Sequence, residues 1–192
     1  MKHFGLSLFP VLTIALLLGI ATENALAQGD NSVYFTTYYS YANTSGAPDA
    51  TVRIINDGDT GGNLYAAIYV FDDSQELQEC CACEITPDGL LSESVDKNLT
   101  ANSLSGKVNT RGVIKVISSA SSDPTNTVPT PGLRGWSTHI QDWPKTTFQV
   151  TEDPLADSNL SSSEQTVLQQ LCYFDALLSG KPCSCTPEDH DF

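Results

Sequence analysis

The chain has 192 residues, with 9 Lys+Arg against 23 Asp+Glu, six cysteines and a formal charge of -14. Such acidity excludes nucleic-acid binding by phosphate neutralisation, which needs a basic face. The length suits one domain.

Lys2 and His3 precede an apolar run from Phe4 to Ile20, and Ala25-Leu26-Ala27 closes the segment. This is the pattern of a cleaved signal peptide over 1–27. The run is short of the roughly 20 apolar residues of a membrane span, and no later run is longer. The expectation is an exported chain, secreted or periplasmic, that has no membrane span after leader removal. The mature part, 28–192, is leaner in apolar residues than the whole chain, of which 40% are apolar. A lean core makes covalent staples useful.

The first strand is read over 33–41, a β-branched and aromatic run rich in tyrosine. A second covers 51–55 and a third 64–71, the latter apolar throughout and so buried on both faces. Between them, Asn56-Asp57-Gly58-Asp59-Thr60-Gly61-Gly62 reads as the turn of a hairpin. Asp57 and Asp59 also suggest a calcium loop. The EF-hand template fails there, because Gly61 stands at its fifth position and Ile68 at its twelfth. Calcium is the one cofactor this reading offers.

Cys80, Cys81 and Cys83 form one cluster, and Cys172, Cys183 and Cys185 a second. An even count in an exported chain reads as disulfides. A bridge between adjacent Cys80 and Cys81 would distort the intervening peptide, and one between Cys183 and Cys185 would be strained. If every bridge crosses, six of the 15 pairings remain, and the sequence does not choose among them. Each would close a loop of about 90–105 residues, worth on the order of 4–5 kcal/mol. Two other readings are a redox dithiol at Cys80 and Cys83 and a thiolate metal site. The former lacks a helix start after Cys83, and the latter needs reduced ligands.

Further strands are read at 112–118 and, more weakly, at 77–85, 133–140 and 146–151. Residues 119–132 form a Pro/Ser/Thr-rich loop. Trp136, His139 and Trp143 lie close in sequence and form a candidate ligand patch. His139 and His190 are the only histidines after the leader, so a serine or cysteine nucleophile would have to use His139 as base. A helix is read over about 162–179. Ser161 and Glu164 have capping-box spacing, and Gly180 and Pro182 supply the stop. Its apolar stripe contains Val167, Leu168, Leu171, Cys172, Phe174 and Leu178, with Asp175 inside it.

The fold expected is therefore mainly β, an antiparallel sandwich with one C-terminal helix, stapled by disulfides. No GxSxG elbow, HExxH or Gly-rich phosphate loop occurs in the sequence. The function expected is a non-catalytic secreted or periplasmic structural or binding module. Its partner would be extracellular, a glycan or a protein. The alternative is a secreted hydrolase acting on glycans through paired carboxylates; glycan binding without cleavage lies between, with the tyrosine strand as a stacking platform.

The run Glu79-Cys80-Cys81-Ala82-Cys83, continued by Ile85-Thr86-Pro87-Asp88-Gly89-Leu90, and the terminal Cys183-Ser184-Cys185 are distinctive. In these the chain resembles a group of exported bacterial proteins that has no assigned activity. The resemblance implies export and a cysteine-stapled architecture, and no more.

Overall fold

The structure, a computed structural model, describes residues 31–100, 109–143, 147–179 and 183–185. The proposed leader lies outside them. Among the described residues nine strands form two antiparallel sheets. The first sheet has the order β4-β3-β6-β1-β9, from Leu77–Ile85, Leu64–Asp72, Arg111–Ser119, Tyr34–Ser40 and Ala156–Asp157. The second has the order β5-β2-β7-β8, from Leu90–Ser94, Thr51–Asn56, Leu133–Trp143 and Thr147–Pro154. Among the described residues a single α-helix, α1, runs from Ser162 to Ser179, and a short π-helical turn covers Val95–Leu99. The mainly β sandwich with a C-terminal helix is thus the observed fold.

The alternation of side chains along β3 explains its unbroken apolar run. Ala66, Ile68 and Val70 enter the core between the two sheets. Ala67, Tyr69 and Phe71 enter a second core, which Leu168 and Cys172 of α1 complete. β3 is therefore the middle of three layers, with the second sheet on one side and the helix on the other.

The hairpin expected between β2 and β3 does not form. β2 pairs with β5 and β7, whereas β3 pairs with β4 and β6. The burial patterns give the reason. β2 buries alternate residues, as a strand with one wet face must, while β3 is covered on both faces. Residues 57–63 instead cross from one sheet to the other. Asn56 anchors the crossing: its Nδ2 donates to the carbonyls of Gly62 and Ile85, and its Oδ1 accepts from Gly58 N.

The Pro/Ser/Thr-rich stretch also crosses between sheets, from β6 to β7. It is a folded connection, since Ala120 N donates to Val128 O and Thr130 N to Ser118 O. Tyr69 Oη donates to Pro124 O at 2.6 Å, and Gln165 Nε2 of the helix to Thr127 O at 3.1 Å.

At the start of α1, Ser161 Oγ accepts from Glu164 N at 3.1 Å, which is half of a capping box. The other half is missing, because the Glu164 carboxylate turns to Lys115 Nζ at 2.6 Å and to Tyr34 Oη at 3.0 Å. Of the apolar stripe read from the sequence, only Leu168 and Cys172 are buried, with Asp175 one turn on. Val167, Leu171, Phe174 and Leu178 face outward.

Candidate functional site

All six cysteines are bonded: Cys80–Cys172, Cys81–Cys183 and Cys83–Cys185. Strand parity sorts them. Cys80 points from β4 toward α1, while Cys81 and Cys83, two residues apart, point into the core between the sheets. The latter two bonds lie side by side, with Cys81 Sγ and Cys83 Sγ 3.7 Å apart. Among the described residues, the sulfurs of Cys81, Cys83 and Cys185 are the one cluster of three potential metal ligands. Each is already committed to a disulfide, which removes the thiolate a metal would need.

The proposed patch of Trp136, His139 and Trp143 is divided. Trp136 and His139 are an odd number of residues apart on β7, so they leave it on opposite faces. Trp136 is half-buried opposite Arg53, and Trp143 ends the strand opposite Thr147. His139 is buried and shares the face of Ser137. Its Nε2 lies 3.3 Å from Ser137 Oγ, which in turn bonds Thr37 Oγ1 at 2.6 Å. Tyr38 stacks on the imidazole with ring centroids 4.0 Å apart and planes 22° from parallel. Burial lowers the His139 pKa, against the raising effect of Asp153, so the ring is neutral at pH 7.

Ser137, His139 and Asp153 have the residue types of a nucleophilic triad without its geometry. A triad places hydroxyl and carboxylate on opposite ring nitrogens. Here Asp153 Oδ2 approaches the same Nε2, at 3.9 Å, and Ser137 is only 2% exposed. The cluster closes the edge between β1 and β7 and offers a substrate no hydroxyl.

Asp57 and Asp59 sit in the crossing loop after β2. Asp57 Oδ1 accepts from Asp59 N at 3.1 Å, and Oδ2 lies 3.3 Å from Arg134 Nε. The carboxylate thus caps its own turn and balances a guanidinium. Among the described residues no third ligating side chain joins the two.

The open concavity lies elsewhere, at one end of the sandwich. A groove of about 520 Å³ is bounded by Ser40, Tyr41, Thr44, Asp73, Asn109 and Arg111. It adjoins a hollow of about 390 Å³ beside Tyr38, Gln75 and Val113. Arg111 Nε bonds Asp73 Oδ2 at 2.7 Å across the boundary. Of the four non-glycine residues with positive φ among the described residues, three border this region: Tyr41 at 59°, Asn43 at 54° and Gln75 at 68°. Such conformations are costly for a bulky residue and persist where the surroundings enforce them. Asn43 shows how: its Nδ2 donates to Thr100 Oγ1 and Asn109 O, and its N donates to Asp96 Oδ1. Asp72 Oδ1 fixes the next turn by accepting from Ser74 N and Glu76 N.

The groove thus offers a flat exposed ring, a guanidinium, a carboxylate and hydroxyls on a rigid rim. The tyrosine strand signalled its aromatic part. Arg111 and Asp73 gave no signal, because they meet only through the pairing of β3 with β6, which sets Asp72 opposite Gly112.

No protein-family model matches the sequence, and no curated protein does. Two solved structures show partial likeness. Thermotoga maritima 1070 aligns at TM-score 0.43 and 16% identity over 70% of this chain and 100% of its own. The Anabaena sensory rhodopsin transducer aligns at 0.37 and 11% over 62% of this chain and 94% of its own. At these scores neither establishes a common fold.

Proposed function

We propose that the chain is a non-catalytic binding module that works outside the cytoplasm, exported through its leader and held by its three disulfides. The observation that carries this reading is the separation of groups. The one histidine of the described residues is neutral and walled in, while the open groove contains Tyr38, Tyr41, Arg111 and Asp73. Those groups recognise and orient a ligand. The cross-cluster disulfides fit an oxidising compartment. Among the described residues no helix is long and apolar enough to cross a membrane.

A glycan is the ligand class the groove supports best. Tyr38 is 48% exposed beside an Arg–Asp pair. An exposed ring takes the apolar face of a sugar, and the charged pair takes its hydroxyls. The test is a panel of cell-envelope and plant polysaccharides, measured by isothermal titration calorimetry and by release of reducing ends. The expected result is saturable binding weakened at least tenfold by Tyr38→Ala and by Arg111→Ala, with no new reducing ends. New reducing ends from the native chain would make it a glycan hydrolase and overturn the reading.

A further inference from the structure

We infer that the outward face of α1 is the interface of a homodimer. Six large apolar side chains stand out of this one helix: Val167, Leu171, Tyr173, Phe174, Leu177 and Leu178, from 36% to 76% exposed. Val167, Leu171, Phe174 and Leu178 follow one another at spacings of four, three and four, the repeat of a helix–helix seam. The helix does not relieve this exposure by rolling over. Cys172 is bonded to Cys80 beneath it, and Leu168 and Asp175 are buried on the same side.

Area and charge name the occupant. The exposed parts of these six side chains amount to on the order of 600 Å², the upper end of the roughly 300–600 Å² of a monomer's largest patch, which is often functional. With a polar rim this approaches the roughly 800 Å² per partner of a standard interface. The face itself is uncharged. The only charged residues of α1 are Glu164, bonded to Lys115 and Tyr34, and Asp175, buried beneath. A basic partner finds no carboxylate on this seam. An anionic lipid surface meets no Lys or Arg on the helix, the residues by which an interfacial helix holds such a surface. A second copy presents the same neutral, apolar surface, and two such seams meet without like charges between them.

A two-fold axis through the middle of the seam pairs the helices antiparallel. Leu171 then meets the partner's Phe174, and Val167 meets the partner's Leu178. Grooves flank the ridge on both sides. One is bounded by Phe71, Val113, Val167 and Leu171, the other by Thr125, Gln169, Tyr173 and Phe174. These give each ridge a place to seat, as an isologous interface requires. Val113 borders both this flanking groove and the hollow beside Tyr38, so the two sites are neighbours. The inference is nevertheless independent of the glycan reading, because none of the six exposed helix side chains lines the groove of Tyr41, Asp73 and Arg111.

The test is sedimentation equilibrium of the disulfide-bonded protein with the leader removed. The expected result is a reversible dimer with Kd of about 10 µM or tighter. Leu178→Glu should weaken it at least 100-fold while the mass still shows three disulfides. Leu178 is 76% exposed, so the variant keeps its core. Adding Val167→Lys to Leu178→Glu should restore the dimer, because the antiparallel seam sets each new lysine against the partner's glutamate. A monomer at about 100 µM, too weak for an interface of this area, would overturn the inference. So would a dimer indifferent to Leu178→Glu, or co-sedimentation of the native chain with phosphatidylglycerol vesicles that Leu178→Glu abolishes.

Discussion

Cys172 of the helix is bonded to Cys80 of β4 across 92 residues, and this bond decides which side of α1 meets the sheet. It holds Leu168 and Cys172 against Ala67, Tyr69 and Ile117. With Cys81–Cys183 and Cys83–Cys185 intact, this bond closes only the short loop that runs from Cys172 to Cys183, worth about 3 kcal/mol in the chain-entropy account. Replacing both cysteines by alanine should therefore lower the unfolding free energy by about 3 kcal/mol, read from urea titration. Limited proteolysis should reach α1 first, since the rest of the stripe gives it little hold. A loss below about 1 kcal/mol would mean that side-chain packing alone seats the helix.

Gly112 is the tightest point of the first sheet. A Cβ there would stand 1.9 Å from Phe71 O and 2.7 Å from Tyr39 Oη. Phe71 O is backbone of the neighbouring strand, and Tyr39 is buried, so neither gives way. Gly112→Ala should cost about 4 kcal/mol or prevent folding. Gly46 is the control. Its φ is +82° but nothing lies within 4 Å, so Gly46→Ala should cost about 1 kcal/mol. Equal costs at the two sites, by thermal unfolding, would refute the crowding at Gly112.

Cross-bridging was legible only as a condition, since the strain argument removes the Cys80–Cys81 and Cys183–Cys185 bonds and no other bond within a cluster. Which partner each took depended on strand parity. Once 77–85 is a strand, Cys80 must face away from Cys81, so the two are reached by different segments. The buried run of β3 was legible in Leu64–Phe71, but a run shows that two faces are covered without showing by what. A turn-rich loop after β2 then looked like a hairpin, although it bridges two sheets. The helix stripe shows a similar limit. Periodicity found the apolar side of α1 but not that half of it stays outside. Asp73 and Arg111 were invisible because their meeting is a product of sheet register.

Glu164 ties the helix start to the first sheet through Lys115 and Tyr34. The bond from Lys115 is the largest cause that holds its carboxyl below the usual range of 4.5, and the Tyr34 bond adds to it. A depressed folded pKa gives stability that is present above the unfolded value and lost as pH falls through the folded one. Both side chains of the ion pair are about a third exposed or less, so the effect is modest. Glu164→Gln should cost about 1 kcal/mol at pH 7 and nothing near pH 2. A cost that stays constant from pH 7 to below pH 3, by urea titration, would show that the charge contributes nothing.

His139 supplies the opposite test, near neutral pH. Burial is the first cause of its lowered pKa, and Asp153 opposes it from 3.9 Å. A base whose folded pKa lies below its unfolded 6.5 binds fewer protons when folded. Its contribution to stability is complete above 6.5 and is lost as pH falls below that value toward the folded pKa. The native chain should therefore lose thermal stability as pH falls below about 6.5, a slope that His139→Gln should remove. At pH 8 the same variant should cost about 1–2 kcal/mol, through loss of the Tyr38 stack and the Ser137 contact. Imidazole resonances followed by NMR give the site directly. They should show a predominantly neutral ring at pH 6.5, where a free histidine is half charged. Titration at or above 6.5 would mean that Asp153 outweighs burial. Part of the population would then carry a cationic ring at neutral pH, from which Ser137 could only accept, and in that form the clasp between β1 and β7 would be electrostatic.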